Sequence, residues 1–420
     1  MISSYYGELD PNPEIRYQHA FQAYREHSVT TISPNTAVAN QIIKFKIEKL
    51  DANCVMVPGT QMLTFDLNLT SKDKNQGIVN NIGRSLVAKK TLKLGNKSIE
   101  VIDNADILDT YMDLYLTKED RKHRILQGIQ SSDGLKARLG STKADGSALG
   151  LSASETAIKK TYGKRFSIPL DFQFFKYPIY LEGLKEDLSV TIQYNSPNKV
   201  MLVTGDANAT YTISDIALEC DIITDNIYAQ TISNIYNNPN PKYKFEIPYT
   251  FITHDKHEVL NKKDSTWPIE VITSAQNLQG ILLLFKDSQA TTNFSYKNKQ
   301  FYNPTIKTVS ISIGGHSNKL YSGGILPRHI FTEIKKYFYK EHSDIDEGEF
   351  LTTKFGLWVD FRTSQENALH GSGKDIDGRK IILQIYKAAE TTQGNLDCHI
   401  FLFQDAKLEI REGMLKDIVK

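Results

Sequence analysis

The chain has 420 residues, more than one sandwich core usually holds and a natural length for two domains. Its composition of 40% hydrophobic and 24% charged residues excludes a chain disordered throughout, and 21 Tyr and 19 Phe supply large flat groups suited to sheet cores and interfaces. With 50 basic against 49 acidic residues the net charge is +1, which excludes binding to nucleic acid or an anionic membrane through the charge of the chain as a whole.

At the start, MISSYYGELDPNPEIRYQHAF carries no basic segment followed by an apolar run, and no stretch approaches the roughly 18 apolar residues that span a bilayer. Secretion and membrane insertion are therefore not expected, and sequons such as those at Asn68 and Asn208 are read as chance matches. Ile15, Ala20, Phe21 and Tyr24 recur near helical spacing after Pro11 and Pro13, which predicts an N-terminal helical arm within residues 1–36. The apolar face of that helix needs a partner outside a closed sandwich, so the arm is expected at an inner surface or on a neighbouring subunit.

After the breaker Ser33-Pro34-Asn35, strands dominate. QIIKFKIEKL from Gln41 alternates Ile43, Phe45 and Ile47 with Lys44, Lys46 and Glu48, the period of a strand with one buried face. MLTFDLNLT from Met62 alternates likewise, and the turn Pro58-Gly59 separates the two. Cys54, Cys220 and Cys398 lie far apart in or beside apolar runs, which predicts buried free thiols rather than a disulfide framework.

An internal repeat follows. KKTLKLGNKSIEV from Lys89 reads as strand, Gly-Asn turn, strand, and IKTVSISIGGHSNKLY from Ile306 has the same shape around Gly314-Gly315. Each precedes an amphipathic helix: ADILDTYMDLYL from Ala105, with Ile107, Leu108, Tyr111, Leu114 and Tyr115 on one side, and PRHIFTEIKKYFY from Pro327, with Ile330, Phe331, Ile334 and Phe338. RFSIPLDF from Arg165 then lines up with KFGLWVDF from Lys354, sharing Phe166 with Phe355 and Asp171-Phe172 with Asp360-Phe361. LSVTIQY from Leu188 answers KIILQIY from Lys380, and DIALE from Asp215 answers DAKLE from Asp405. The spacing between copies is 217 residues at Thr91 and Thr308 and 189 at Asp171 and Asp360, so the first half carries about 28 extra residues. They fall in residues 119–164, rich in Ser, Gly, Ala and Lys without a sustained period, which predicts a long, partly mobile surface loop. Its basic residues are read as a solvated face. The Tyr- and Phe-rich stretch from Ile227 to Phe251 is expected to position the two halves.

Both halves resemble the two jelly rolls of double jelly-roll major capsid proteins, and within that family the Polinton (Maverick) and adintovirus type. The run VAKKTLKLGNKSIEVIDNADILDTYMDLYL resembles the family's strand, Asn-containing turn and following helix. NPTIKTVSISIGGHSNKLYSGGI, TKFGLWVDF and IFLFQDAKLEI resemble its downstream strands in order, and LEIREGM from Leu408 is similar to the C-terminal Arg-Ile-x-x-Gly segments of related large-virus capsid proteins. The resemblance runs from about residue 40 to the end. It implies an all-β fold of two tandem eight-stranded jelly-roll sandwiches, with short helices in the loops and an N-terminal helical arm. The domains are then an arm at 1–36, a first jelly roll at 37–236 containing the 119–164 loop, and a second at 237–420.

The implied function is that of a major capsid protein assembled inside the host cell into the virion shell. Homotrimers of two-barrel chains present six barrel units and fill pseudohexagonal positions of an icosahedral lattice, with obligate contacts of roughly 2,000 Å² or more. The partners are other copies in the trimer, neighbouring capsomers, and penton or minor capsid proteins. A near-neutral chain without a basic arm predicts no strong nucleic-acid binding.

Enzymatic signals are thin. In FITHDKHEV, His254 and His257 would share a helix face, but the surroundings read as strand, where a three-residue spacing points them to opposite faces and holds no metal. HGSGKDIDG from His370 fails the phosphate-loop pattern, with Ala368 in place of the first Gly and Asp375 after Lys374, and reads as a hairpin or loop tip. Asp344, Asp346, Glu347 and Glu349 lack calcium-hand spacing and read as a solvated turn. No catalytic, cofactor-binding or metal-ligating residue is assigned, and no cofactor is expected. A glycan-recognising β-sandwich or spike protein and a two-domain carbohydrate-active enzyme remain as alternatives, since glycosidase carboxylates leave no short signature.

Overall fold

A computed structural model describes residues 24–49, 51, 53–115, 124–237, 245–288, 294–317, 323–338, 345–362, 373–391 and 393–419. The first half contributes strands β1 (Tyr24–Thr31), β2 (Ile42–Lys46), β3 (Met62–Thr70), β4 (Val87–Leu94), β5 (Lys97–Asp103), β6 (Arg165–Pro169), β7 (Leu188–Tyr194) and β8 (Thr210–Thr224). The second contributes β9 (Phe245–Asn261), β10 (Thr266–Ile272), β11 (Leu278–Asp287), β12 (Ile306–Ile313), β13 (His316–Ser317), β14 (Leu357–Asp360), β15 (Lys380–Lys387) and β16 (Asn395–Arg411).

The pairing is nested. β1 pairs with β8, β2 with β7, β3 with β6 and β4 with β5, as in one long hairpin rolled up on itself. Cross-links between β3 and β8 and between β4 and β7 close two antiparallel sheets, ordered β1-β8-β3-β6 and β2-β7-β4-β5. The second half repeats this strand for strand, as β9-β16-β11-β14 and β10-β15-β12-β13. Two jelly rolls of eight core strands each therefore stand in tandem, with Ala37–Val38 and Cys54–Met56 also paired to β8 and Met414–Val419 to β16, and among the described residues no strand ladder joins one to the other. Every repeat read from the sequence falls on corresponding strands: β4-β5 on β12-β13, β6 on β14, β7 on β15 and β8 on β16.

Alternation sets which side is buried. In β2, Ile43 and Phe45 are buried while Ile42, Lys44 and Lys46 face solvent. β11 departs from this, because Leu278 to Lys286 are all buried, and β3 is buried on both faces over Met62 to Phe65. Such strands are covered twice, by the opposing sheet and by helices or loops outside. Around β11, Tyr337 of α5 (Pro327–Phe338) donates to the Gln279 amide oxygen, and Tyr111 of α1 (Ala105–Asp113) in the first half packs with Leu284 beside Gly356. The buried apolar residues of both halves consequently form one continuous cluster. The three cysteines are buried free thiols, and burial pushes Cys220 up to about 11.

Several expectations are corrected. Tyr24 does not end a helix; it opens β1, which pairs with β8 along its whole length, and Ile15, Ala20 and Phe21 lie outside the described residues. The edge strand is fixed to β8 by charge, with Arg25 and His27 against Asp221 and Glu219. The 119–164 segment is not irregular throughout, since it holds α2 (Ser132–Arg138) and α3 (Ala153–Tyr162). Ser152 and Glu155 form a reciprocal capping box that starts α3, and the Ser131 hydroxyl accepts from the Gly134 N–H to start α2. Its residues 119–123 lie outside the described residues.

α4 (Asn226–Tyr236) occupies much of the stretch between the halves. The Tyr236 carbonyl accepts from the Gly413 N–H at 3.2 Å, and the Tyr249 hydroxyl donates to the Ile99 carbonyl at 3.2 Å, so this stretch touches both halves.

Candidate functional site

The candidate site is the junction of the two jelly rolls, where side chains of both halves are buried against one another. Its centre is aromatic. Tyr111 of α1 meets Phe301 edge-on at 4.9 Å between ring centroids and Phe338 of α5 at 6.2 Å. Phe338 in turn meets Trp358 of β14 at 5.3 Å, and Tyr337 stacks on Trp358 at 4.1 Å. Two glycines admit these rings. A Cβ on Gly280 would fall 2.2 Å from the Trp358 ring, and one on Gly356 would fall 2.2 Å from the Tyr111 hydroxyl.

Beneath α1 lies a buried ionic cluster. Arg84 holds Asp113 in a two-pronged contact at 2.9 and 3.0 Å and reaches Asp171 at 2.9 Å; Lys90 bridges Asp109 at 2.6 Å and Asp171 at 2.8 Å. Burial pushes Asp171 upward, but the Arg84 and Lys90 charges outweigh it and hold the carboxyl well below its usual range. The matching residue of the repeat, Asp360, binds Arg362 instead, at 2.6 Å. The shared Asp-Phe motif is thus a packing element, with Phe172 and Phe361 both buried.

Across the junction, Lys286 of β11 is buried, and among the described residues its ammonium contacts carbonyls rather than a carboxylate. Its ammonium donates to the carbonyls of Lys297, Asn298 and Gln300 at 3.1, 2.7 and 3.0 Å and lies over the Phe301 ring at 4.4 Å. Burial lowers it to about 7. The segment it grips presents the Asn298 amide to the Asn80 carbonyl and the Ser85 hydroxyl of the first half.

His254 and His257 do not point to opposite faces. A bulge at Asp255 inserts one residue into β9, so His254 pairs with Phe401, Lys256 with Ile400 and His257 with His399. All three imidazoles share the outer face of the β9-β16-β11-β14 sheet. His257 stacks on His399 with 4.8 Å between centroids, and His399 Nδ1 lies 3.3 Å from His254 Nε2. Asn104, in the left-handed conformation at the start of α1, turns its amide to His254 at 3.3 Å instead of capping the helix. His257 Nε2 meets Asp397 at 2.9 Å. Because two rings are stacked face to face, their nitrogens do not converge, and among the described residues no three ligating side chains could hold a metal.

The remaining candidates are structural. Asp346 caps α6 (Glu347–Thr353), accepting from the Glu349 N–H at 2.7 Å, so the acidic run begins a helix rather than forming a solvated turn; Asp344 lies outside the described residues. In HGSGKDIDG, His370 to Ser372 lie outside the described residues, Ile376 is buried, and Asp377-Gly378 turns into β15. Arg138 of the inserted segment is not solvated: it lies 3.9 Å over the Phe166 ring and donates to the Ile125 and Gly163 carbonyls at 2.9 and 2.8 Å. Burial lowers its guanidinium to about 10. A cavity of about 440 Å³ opens between β1 and β2, lined by Ile32, Phe45, Met56, Leu218 and Cys220 beneath a rim of Lys44, Lys46, Lys49 and Asp187. No helix among the described residues is long and apolar enough to cross a membrane.

No protein-family model matches the chain, and no curated protein matches it. Solved structures do. A chain of the PBCV-1 virus capsid is similar at 13% identity with a TM-score of 0.60, over 94% of this chain and 97% of that one. The Faustovirus major capsid protein is similar at 9% identity and TM-score 0.58, over 92% and 90% of the two chains. A chain of the Sputnik virophage is similar at 10% identity and TM-score 0.58, over 95% and 88%. At these identities the likeness is one of fold, and the fold of this chain is the double jelly roll.

Proposed function

We propose that this chain is a major capsid protein whose homotrimers form pseudohexagonal capsomers of an icosahedral viral or virus-like shell. The observation that carries the reading is the strand-for-strand duplication of the jelly roll, welded at an apolar junction into one unit. Three such units supply six near-equivalent barrels under a single cyclic symmetry, the minimum needed to fill a hexagonal position. The similarity to solved chains of the PBCV-1 capsid, the Sputnik virophage and Faustovirus over almost the whole length supports the same assignment.

The finer features follow from this reading. The chain acts in the virion after assembly in the host cell. It contacts neighbouring capsomers and penton or minor capsid proteins, and it has no catalytic role and no strong affinity for nucleic acid. Its type is that of the Polinton and adintovirus capsid proteins, on the strength of the motifs quoted above. A division near residue 237 is supported by the absence of any ladder between the halves among the described residues. Pairing of β1 with β8 argues for counting residues 24–36 with the first jelly roll rather than with an arm. Mass photometry at micromolar concentration tests the trimer: particles of three 47.6 kDa chains are expected, and a purely monomeric distribution would count against it.

A further inference from the structure

We propose that His257, His399 and His254 form an acid sensor at the junction of the two jelly rolls, and that proton uptake by this row releases β9 from the first half. This goes beyond the capsid reading and does not depend on it. The geometry has three parts. The bulge at Asp255 brings the imidazoles into one row. The row starts at the surface with His257, whose side chain is 42% exposed, passes through His399, which is 6% exposed, and ends at the half-buried His254. Its His254 end is tied to the first half through the Asn104 amide.

In the neutral state one proton can lie between His399 Nδ1 and His254 Nε2, making a single N–H···N hydrogen bond at 3.3 Å. When both rings are protonated, each of these nitrogens carries a hydrogen and the bond becomes a repulsion. His257, stacked on His399, also opposes the protonation of His399. The His257 ring is itself held by Asp397 through Nε2.

The other facing charges do not rescue His399. Lys286 from β11 and Lys199 from the first half both oppose its protonation, and Lys199 is engaged with Asp106 at 3.3 Å. Asp103 and Asp106 act on His254 from a distance, weakly favouring its charge. Lys256 and Glu258 pair with each other at 2.5 Å on the opposite face of β9.

Burial, then the neighbouring His257 and His254 and the Lys199 and Lys286 ammoniums, hold the His399 imidazole well below its ordinary value of 6.5, and burial lowers His254 as well. An opened junction restores ordinary imidazoles, so it binds more protons than the closed one as pH falls below 6.5. The closed junction therefore loses stability as pH falls, and the opening equilibrium rises by up to about tenfold per pH unit for each of the two rings.

Hydrogen exchange of the full-length protein at pH 7.2 and 5.2, corrected for intrinsic rates, tests this. Segments 100–108 and 252–258 should open at least tenfold more at the lower pH, and His399→Gln and His254→Gln should each remove at least half of that response on a logarithmic scale. His254, being only half-buried, serves as the independent variant if His399→Gln does not fold. An acid response of these segments equal in the wild type and in every folded variant would overturn the proposal, as would no acid response in the wild type.

Discussion

Tyr111 of the first jelly roll and Phe301 of the second meet edge to face at 4.9 Å, with their ring planes 76° apart. Both rings are fully buried, and together they close the contact between halves that share no strand ladder among the described residues. Truncating either should create a cavity that the two sheets cannot collapse into. Tyr111→Ala and Phe301→Ala are each expected to cost about 3–5 kcal/mol. The double variant should cost less than the sum by about 0.5–1.5 kcal/mol, read from denaturant midpoints in a double-mutant cycle.

Gly280 tests the same packing from the other side. A methyl group there would enter the Trp358 ring, so Gly280→Ala should destabilise by about 1–3 kcal/mol even though nothing is removed. In a Trp358→Leu background the added cost of Gly280→Ala should shrink, measured by the same midpoints.

Arg84 sits among three carboxylates with 6% of its side chain exposed. Arg84→Met leaves Asp109 and Asp171 to Lys90 and takes the two-pronged contact from Asp113, which keeps the Asn81 amide, and a loss of about 3–5 kcal/mol is expected. Arg84→Lys should not restore stability, because an ammonium cannot reproduce the two-pronged contact with Asp113.

Lys286 gives a pH dependence with a definite sign. Its folded value is lowered to about 7, below the value of 10.5 for an exposed lysine. Between these values the unfolded chain carries the extra proton, so the contribution of this group to stability should rise with pH across that window, by up to about 1.4 kcal/mol per unit. Lys286→Met should abolish that rise while leaving three carbonyls without their donor. Urea midpoints at pH 7 and pH 9 check both effects.

His27 carries the opposite sign. Its hydrogen bond to Asp221 outweighs burial and, with Glu219, raises the imidazole above 6.5. The attachment of β1 to β8 is therefore fully strengthened below pH 6.5 and weakens as pH rises through the raised value. Hydrogen exchange of residues 24–31 should show this in the wild type and lose it in His27→Ala.

How much of this was legible in the sequence depends on what each residue faces. RFSIPLDF and KFGLWVDF, or LSVTIQY and KIILQIY, could be matched because strands in equivalent positions bury equivalent faces. β1 was missed because YREHSVTT is an edge strand whose Arg25 and His27 face acids on β8, so its pattern is polar on both sides. LQGILLLFKD gave no alternation to align with MLTFDLNLT, since β11 is covered on both faces. The inserted helices did leave a signal, the Ser152-x-x-Glu155 box, in a segment otherwise without period. The histidine row left none: a bulge is a property of the pairing, and without it a three-residue spacing on a strand does put His254 and His257 on opposite faces.

The central claim is that the duplicated jelly roll serves to build a shell. Electron microscopy of the purified full-length protein tests it most directly. Pseudohexagonal trimeric capsomers, alone or in closed particles, are the predicted result; monodisperse single chains that never associate across concentration and salt would contradict it.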